Sequence, residues 1–522
     1  MNAIRRKAPA VLWVLASLAV VVVAGANVSS AFIFPLELEV REGTSWLHVL
    51  TIEAGISLYD HTRVAYLNMN HGPMDAILKV WIHGLLPFLT PAMVTRIFVL
   101  LLPFGLFLAL HRALRSHWMV AVACAGTLYL FLLGLAPPHF LIGRSDPAAL
   151  FFLALTLVAG DAAVRCTAGW GGRLGSVALA GVLSVITFLI NWRFLPIMGL
   201  LAIGWTVEGI VAHRGHRIKW VALNAGGFIT AFFLTFLVVL FTVFHGEFPL
   251  YFSHFFGFFL PGSGWGAGQG DAFALFPAAL RPGRWVMHGL LAVLFCLAAA
   301  RPDSRLRRSV QLGAWLPVLA GLWVTLAVSY FLNQAGGDIY YFAPFYVVAA
   351  WHLARTLDGN ALSGSVWALA LPLCLLGAVP WNETWAQARN LRTMLPAARN
   401  FLAETQRLTG GRPIRSEALF LYETRYAGEV IDMGDVVYRS FTISNGYYGV
   451  DFEETARRYF DSLKTNPPEF VMLGSLTVVS PPLFELVSQT YVQILQAPPH
   501  LLGNHSASSA LYQRRPPVPA PK

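Results

Sequence analysis

Between residues 10 and 380 the chain runs again and again for about 17 to 25 almost uncharged residues, the length a helix needs to cross a bilayer. These runs lie near 10–34, 93–111, 118–136, 147–164, 174–190, 194–212, 218–244, 285–300, 310–332, 339–356 and 364–380. That makes about eleven predicted spans, more apolar length than a soluble core can hide. Composition agrees: 56% of the 522 residues are hydrophobic, only 12% are charged, and the mean hydropathy is +0.59. The reading is a polytopic α-helical membrane protein. Its N-terminus opens on Arg5, Arg6 and Lys7, and the apolar run that follows is long enough to stay as an anchor even though Ala24-Gly25-Ala26 has the small residues of a cleavage site.

A formal charge of +10 suggests nucleic acid until the cations are located. They sit in short links between spans: Arg5, Arg6 and Lys7; Arg112 and Arg115; Arg165 and Arg173; Arg214, Arg217 and Lys219; Arg301, Arg305, Arg307 and Arg308; then Arg355. If the spans alternate, all of these links fall on one side, which the positive-inside rule makes cytoplasmic. This is a topology signal and excludes nucleic acid as the partner. The expected placement is an inner membrane, with the N-terminus cytoplasmic and everything after residue 380 external, or periplasmic. Cys124, Cys166, Cys296 and Cys374 lie in or beside apolar runs without metal-ligand spacing, so they read as small packing residues.

The outward side receives two long segments. In 35–92, Trp46, Leu47, Leu50 and Ala54, then Ile77, Leu78, Trp81 and Leu85, recur at helical spacing, which predicts amphipathic helices at the membrane surface. Segment 245–283 begins aromatic and turns Gly-rich, as suits either a lid at headgroup level or an aromatic belt. Residues 381–513 change character: charged residues and turns separate short β-like runs at 418–422, 470–473, 491–495 and 510–513, with a helical stretch at 452–464. This predicts a small external α/β domain after a transmembrane domain of residues 1–380, with residues 514–522 as a disordered tail. No internal repeat and no P-loop or dinucleotide glycine motif is present, so nothing supports an ATP-driven mechanism.

The middles of the spans are nearly free of charge: Asp161 and Glu208 fall near inner ends, Arg96 near an outer end, and only His288 lies deeper. An ion relay or transporter wants charges at midplane. Here the ionisable residues gather at the outward mouths: Glu39, Glu42, His71, Arg144, Asp146, Arg193, His254, Asp271 and Asp338. Glu39 and Glu42 share a helical face, where repulsion favours keeping a proton on one of them, so one can serve as a general base; equally, both can be solvated charges. In GRSDPAAL, Asp146 can cap the helix that starts at Pro147 while Arg144 snorkels to headgroups. Alternatively, Arg144 and the helix N-terminus hold a phosphate while Asp146 handles a hydroxyl. His71, before Gly-Pro, is either a turn residue or a hydrogen-bond donor to a substrate. Arg193, Arg281 and Arg284 are outward cations beside aromatic residues, suited to a lipid-linked phosphate or to ordinary headgroups.

In order, these residues resemble the motifs of the GT-C superfamily of integral-membrane glycosyltransferases, in particular bacterial members of the dolichyl-phosphate-mannose protein mannosyltransferase-like (family 39) group. The resemblance covers most of the chain. Its first element is Glu42-Gly43, then Ala54-Gly55, Leu58-Tyr59 and His71-Gly72-Pro73. The second is Arg144-Ser145-Asp146 opening a span; the third is GGDIYYFAP at 336–344, with Asp338, Tyr340 and Tyr341. Departures are Arg41, where many relatives carry an acid, and Asn191-Trp192-Arg193, where many show a Lys.

The resemblance implies a polyprenyl-phosphate-linked sugar donor, a glycan, lipid or protein acceptor, an outward cavity and inversion at the anomeric carbon. By position, Glu42 becomes the base, with Asp146 and Glu39 as further acidic residues of the catalytic set. Arg144, His71, Arg193, Tyr59, Asp338, Tyr340, Tyr341, His254 and Arg281 become the substrate-binding set. No cofactor is required by this scheme, and no clear metal-ligand cluster stands in the sequence. A flippase of lipid-linked sugars and an inactive relative acting as a receptor are the competing readings; the clean midplanes weigh against the flippase.

Overall fold

In lipid every backbone N–H and C=O must find its partner within its own segment, so apolar runs become helices. The computed structural model describes residues 2–38, 40–58, 64–65, 72–114, 118–135, 140–165, 169–212, 217–244, 305–332, 339–357, 381–416, 430–431, 461, 464–473, 481–498 and 510–516. Its helices, in chain order, are α1 (Asn2–Phe32), α2 (Val40–Glu53), α3 (Met74–Leu85), α4 (Pro91–Thr95), α5 (Ile97–Leu114), α6 (Trp118–Leu135), α7 (Ser145–Arg165), α8 (Gly169–Ile190) and α9 (Leu195–Ala212). Then come α10 (Arg217–Val221), a π-turn at Ala222–Gly226, α11 (Gly227–Thr242), α12 (Arg305–Leu332), α13 (Ala343–Leu357), α14 (Trp381–Thr409) and α15 (Pro481–Thr490). Among the described residues six stretches are long and apolar enough to cross a membrane: Val11–Phe32, Pro91–Leu114, Ser145–Arg165, Gly169–Ile190, Trp192–Val211 and Arg217–Thr242. Shorter apolar helices lie at Trp118–Gly134 and Trp315–Ala327. The spans expected at 285–300 and 364–380, and the segment 245–283, lie outside the described residues.

Side-chain placement shows what the apolar surface is for. On α1, Val11, Val14, Leu15, Leu18, Val21 and Val22 form an outward stripe at helical spacing, while Trp13, Ala16 and Val20 are buried against the bundle. Lipid tails are as apolar as that stripe, so packing decides which face turns inward.

Hydrogen bonds sort the helix ends into two sets. Arg96, just before α5, donates to the carbonyls of Ala31, Phe34 and Leu36 around the end of α1. Gly143 meets Glu42, Asn191 meets Asp146, and Arg193 meets Tyr340. These contacts bring the start of α2, the entries to α5, α7, α9 and α13 and the end of α8 to one end of the bundle. At the opposite end, Arg355 grips Glu208 at 2.6 and 2.8 Å and Asp161 at 2.8 Å, Arg165 adds a contact to Asp161 at 2.9 Å, and Arg112 approaches it at 3.4 Å. Trp315 donates its indole N–H to Glu208 at 2.8 Å. The acids foreseen near inner ends are thus neutralised inside the packing, as buried charges must be.

The segment after α1 forms the expected amphipathic helices. Trp46 and Leu47 of α2 are buried, whereas Trp81 and Leu85 of α3 are 63% and 79% exposed. The two helices join through His83 Nδ1 and Glu53 Oε1 at 2.7 Å.

After α14, which packs along α1, come the strands β2 (Ile414–Ser416), β4 (Phe470–Leu473), β5 (Tyr491–Gln496) and β6 (Ala510–Arg514). They form a sheet in the order β2-β4-β6-β5, with β2 parallel to β4 and the remaining pairs antiparallel. The predicted strands at 470–473, 491–495 and 510–513 fall on β4, β5 and β6; 418–422 and most of the 452–464 helix lie outside the described residues. A second ladder joins β1 (Val64–Ala65), from the segment after α2, to β3 (Val430–Ile431).

Candidate functional site

The first acidic motif folds into a buried anchor. Glu42 stands in the first turn of α2, wholly buried. Its Oε1 accepts from Arg96 Nε at 2.7 Å and from the Gly143 N–H at 2.6 Å; its Oε2 accepts from Arg96 Nη2 at 2.6 Å and from the Leu38 N–H at 2.7 Å. A carboxylate offers about four lone-pair positions, and protein donors occupy all of them. A general base must reach the proton it abstracts. The expectation that Glu42 is that base therefore meets a carboxylate with no acceptor position left for a substrate. Arg96 is equally saturated, since Nε, Nη1 and Nη2 all donate.

The turn before α7 carries the second motif, with a correction. Asp146 is not the N-cap: α7 already begins at Ser145, which puts Asp146 and Pro147 in its first turn. Proline is tolerated there because first-turn N–H groups have no intrahelical partner. Nor does Arg144 snorkel outward: it is 7% exposed, with its guanidinium 5.5 Å from the Tyr340 ring centroid and its Nε 3.6 Å from Asp146 Oδ2.

Asn191 ties the next pieces together. Its side-chain oxygen accepts from the Arg193 N–H at 3.2 Å, capping the short 3-10 turn Trp192–Phe194, while its Nδ2 donates to Asp146 Oδ1 at 3.3 Å. That turn presents Arg193, whose guanidinium lies 4.0 Å over the Tyr341 ring and whose Nη1 is 3.5 Å from the Tyr340 hydroxyl. Tyr340 and Tyr341 meet edge to face at 4.7 Å. Asp146, Asn191, Arg193, Tyr340 and Tyr341 line one small open-sided hollow, floored by Phe140, Leu150, Phe194, Ile197 and Leu326. A guanidinium, two phenols and a carboxylate at one mouth can hold an anionic group and accept a proton.

Of the residues singled out in the sequence, the structure brings Arg144, Asp146, Arg193, Tyr340 and Tyr341 together. Glu42 lies behind them, bonded to Gly143. Glu39, Tyr59, His71, Asp338, His254 and Arg281 lie outside the described residues. Next to His71, Gly72 donates its N–H to the Ile190 carbonyl at 3.1 Å, and a Cβ there would fall 1.8 Å from the Leu189 carbonyl oxygen, so only glycine permits this approach beside Asn191.

Sequence reasoning missed Asn191 as a site residue, and also the buried pair Asp75–Lys79 at 2.6 Å on α3. The available signals were a polar Asn-Trp-Arg between apolar runs, and an acid and a base four apart on the face of α3 that also carries Met74 and Ala76.

Fold and site together define a multi-pass helical membrane protein with a small C-terminal sheet region. Among solved structures it is similar to ArnT from Cupriavidus metallidurans bound to undecaprenyl phosphate, with a TM-score of 0.58 and 14% identity over 99% of this chain and 100% of that one. It is likewise similar to the apo state of that protein, with a TM-score of 0.58 and 13% identity over 96% and 98% of the two chains. A further match is the Archaeoglobus fulgidus oligosaccharyltransferase tethered to an acceptor peptide, with a TM-score of 0.44 and 11% identity over 94% of this chain and 73% of that one. Neither a protein-family model nor a curated protein sequence matches the chain.

Proposed function

We propose that this protein is an inverting glycosyltransferase that moves a sugar from a polyprenyl-phosphate donor to an acceptor hydroxyl at the external face of the membrane. The observation that carries the reading is the hollow in which Asp146, Arg193, Tyr340 and Tyr341 converge, with Arg144 beside it. The fold it shares with ArnT, a structure that contains undecaprenyl phosphate, supports the donor class. The external placement rests on the opposite end of the bundle, where Arg112, Arg165 and Arg355 gather as the positive-inside rule requires of a cytoplasmic face.

In this scheme Arg193 and Arg144 neutralise the donor phosphate, and the tyrosine hydroxyls donate to its oxygens. Asp146 takes the acceptor's proton as the oxygen attacks C1 of the sugar and the C1–O bond to the phosphate breaks. Such base assistance is worth a factor of about 10² to 10⁴, so positioning and phosphate neutralisation carry the rest of the rate. Asp146 holds this role in preference to Glu42, whose acceptor positions are filled; Glu39 remains proposed as a further acidic residue of the catalytic set, and Tyr59, His71, Asp338, His254 and Arg281 as surrounding substrate contacts. Glycan, lipid and protein acceptors all supply the hydroxyl the scheme needs.

The test uses purified protein in lipid nanodiscs with labelled polyprenyl-phosphate sugars. Asp146→Asn is expected to bind undecaprenyl phosphate as the wild type does while losing transfer; Arg193→Ala is expected to lose the binding. Normal transfer by Asp146→Asn would remove Asp146 as the base.

A further inference from the structure

The peptide groups on both sides of Gly143 are each held by a buried charged side chain from a different helix. The Gly143 N–H donates to Glu42 Oε1 at 2.6 Å, and the Gly143 carbonyl accepts from Lys79 Nζ at 2.9 Å. Both side chains are wholly buried. Each is fixed from behind: Glu42 by Arg96 and Leu38, and Lys79 by Asp75 at 2.6 Å and Ser45 Oγ at 2.7 Å. A third wall closes the turn, since a Cβ on Gly143 would meet the Thr95 carbonyl oxygen at 2.6 Å and Thr95 Cγ2 at 2.2 Å.

Burying two ion pairs is a poor route to stability, because desolvation cancels much of their attraction, and neutral side chains would satisfy one N–H and one C=O more cheaply. What charge-assisted bonds add is shortness and directional stiffness. They are spent on two consecutive peptide planes, the second of which leads into Arg144. Fixing that plane fixes where the Arg144 side chain departs and where α7 begins, and so where Asp146 stands.

We infer that Glu42 and Lys79 are positioning residues of the hollow: they act as the two jaws of a grip on Gly143 that sets the place of Arg144 and Asp146. The functional half of this inference rests on the polyprenyl-phosphate reading above; the grip itself does not.

The experiment pairs two readouts on the full chain in detergent. The variants are the charge-neutral Asp75→Asn/Lys79→Met, which leaves no unpaired buried charge on α3, and Gly143→Ala, which pushes the turn off Thr95. Hydrogen exchange of peptides covering 140–146 is expected to quicken about tenfold or more in both, because local opening of the turn becomes easier. Affinity for undecaprenyl phosphate is expected to fall by up to about 10²-fold, the scale of an ångström misplacement, in variants whose melting temperature shows them folded. Unchanged exchange in folded Asp75→Asn/Lys79→Met overturns the grip, and quicker exchange with wild-type affinity overturns its role in positioning. If the wild type itself has no affinity for undecaprenyl phosphate but the variants exchange faster, the donor reading falls and the grip stands.

Discussion

Replacing Glu42 by Gln separates an anchor from a base by stability alone. Gln keeps one oxygen and exchanges the other for an NH2 donor. Whichever way the amide turns, two of the four bonds to Arg96, Leu38 and Gly143 become donor against donor. Arg96, wholly buried, also loses its counter-charge. Two charge-assisted bonds at about 1.5–3 kcal/mol each and the cost of breaking a buried pair, about 3–5 kcal/mol, give the same scale. The expected loss is therefore about 3–5 kcal/mol, read as a fall of several degrees in the melting temperature of the purified protein. Arg96→Met is expected to be worse. It breaks the same pair and also strips donors from the Ala31, Phe34 and Leu36 carbonyls, each at about 1–3 kcal/mol. The double variant is expected to cost less than the sum of the singles, because both act on one interaction. An unchanged melting temperature for Glu42→Gln would refute the anchor, whatever happens to transfer.

Two further expectations follow from groups outside the hollow. Burial, helped by the Lys79 ammonium, holds the His48 imidazole down at about 3 against an ordinary 6.5, so the native protein refuses a proton that the unfolded chain accepts. Stability is then full above pH 6.5 and is lost as pH falls toward about 3; this partly buried histidine should contribute at most about 2 kcal/mol of loss by about pH 5, seen as the difference between wild type and His48→Gln in unfolding scans at about pH 7 and about pH 5. At the opposite end, Glu208→Gln leaves Arg355 short of a counter-charge and should cost about 3–5 kcal/mol. It should leave undecaprenyl-phosphate affinity unchanged, and a large loss of affinity would show that the two ends are coupled.

The sequence by itself marked the apolar runs that become helices, six of them long enough to cross a membrane among the described residues, because twenty apolar residues have no other stable destination. It also determined which helix ends share a side, because spans alternate and basic links mark one face. It brought Arg144, Asp146, Arg193, Tyr340 and Tyr341 into view, since a polar residue beside an apolar run is conspicuous. The C-terminal strands β4, β5 and β6 were legible from their apolar β-like runs, whereas the ladder between β1 and β3 was not, since two residues leave no pattern.

What only the tertiary structure decided is which charges line the hollow and which are bonded inside the protein. Glu42 and Asp146 look alike in one dimension: each is an acid beside a span on the same side. Arg96 lies 54 residues from Glu42 and Lys79 lies 64 from Gly143, and no local spacing encodes those meetings. A carboxylate's task depends on who already occupies its lone pairs, and that occupancy is settled only when helices distant in the chain are packed against one another.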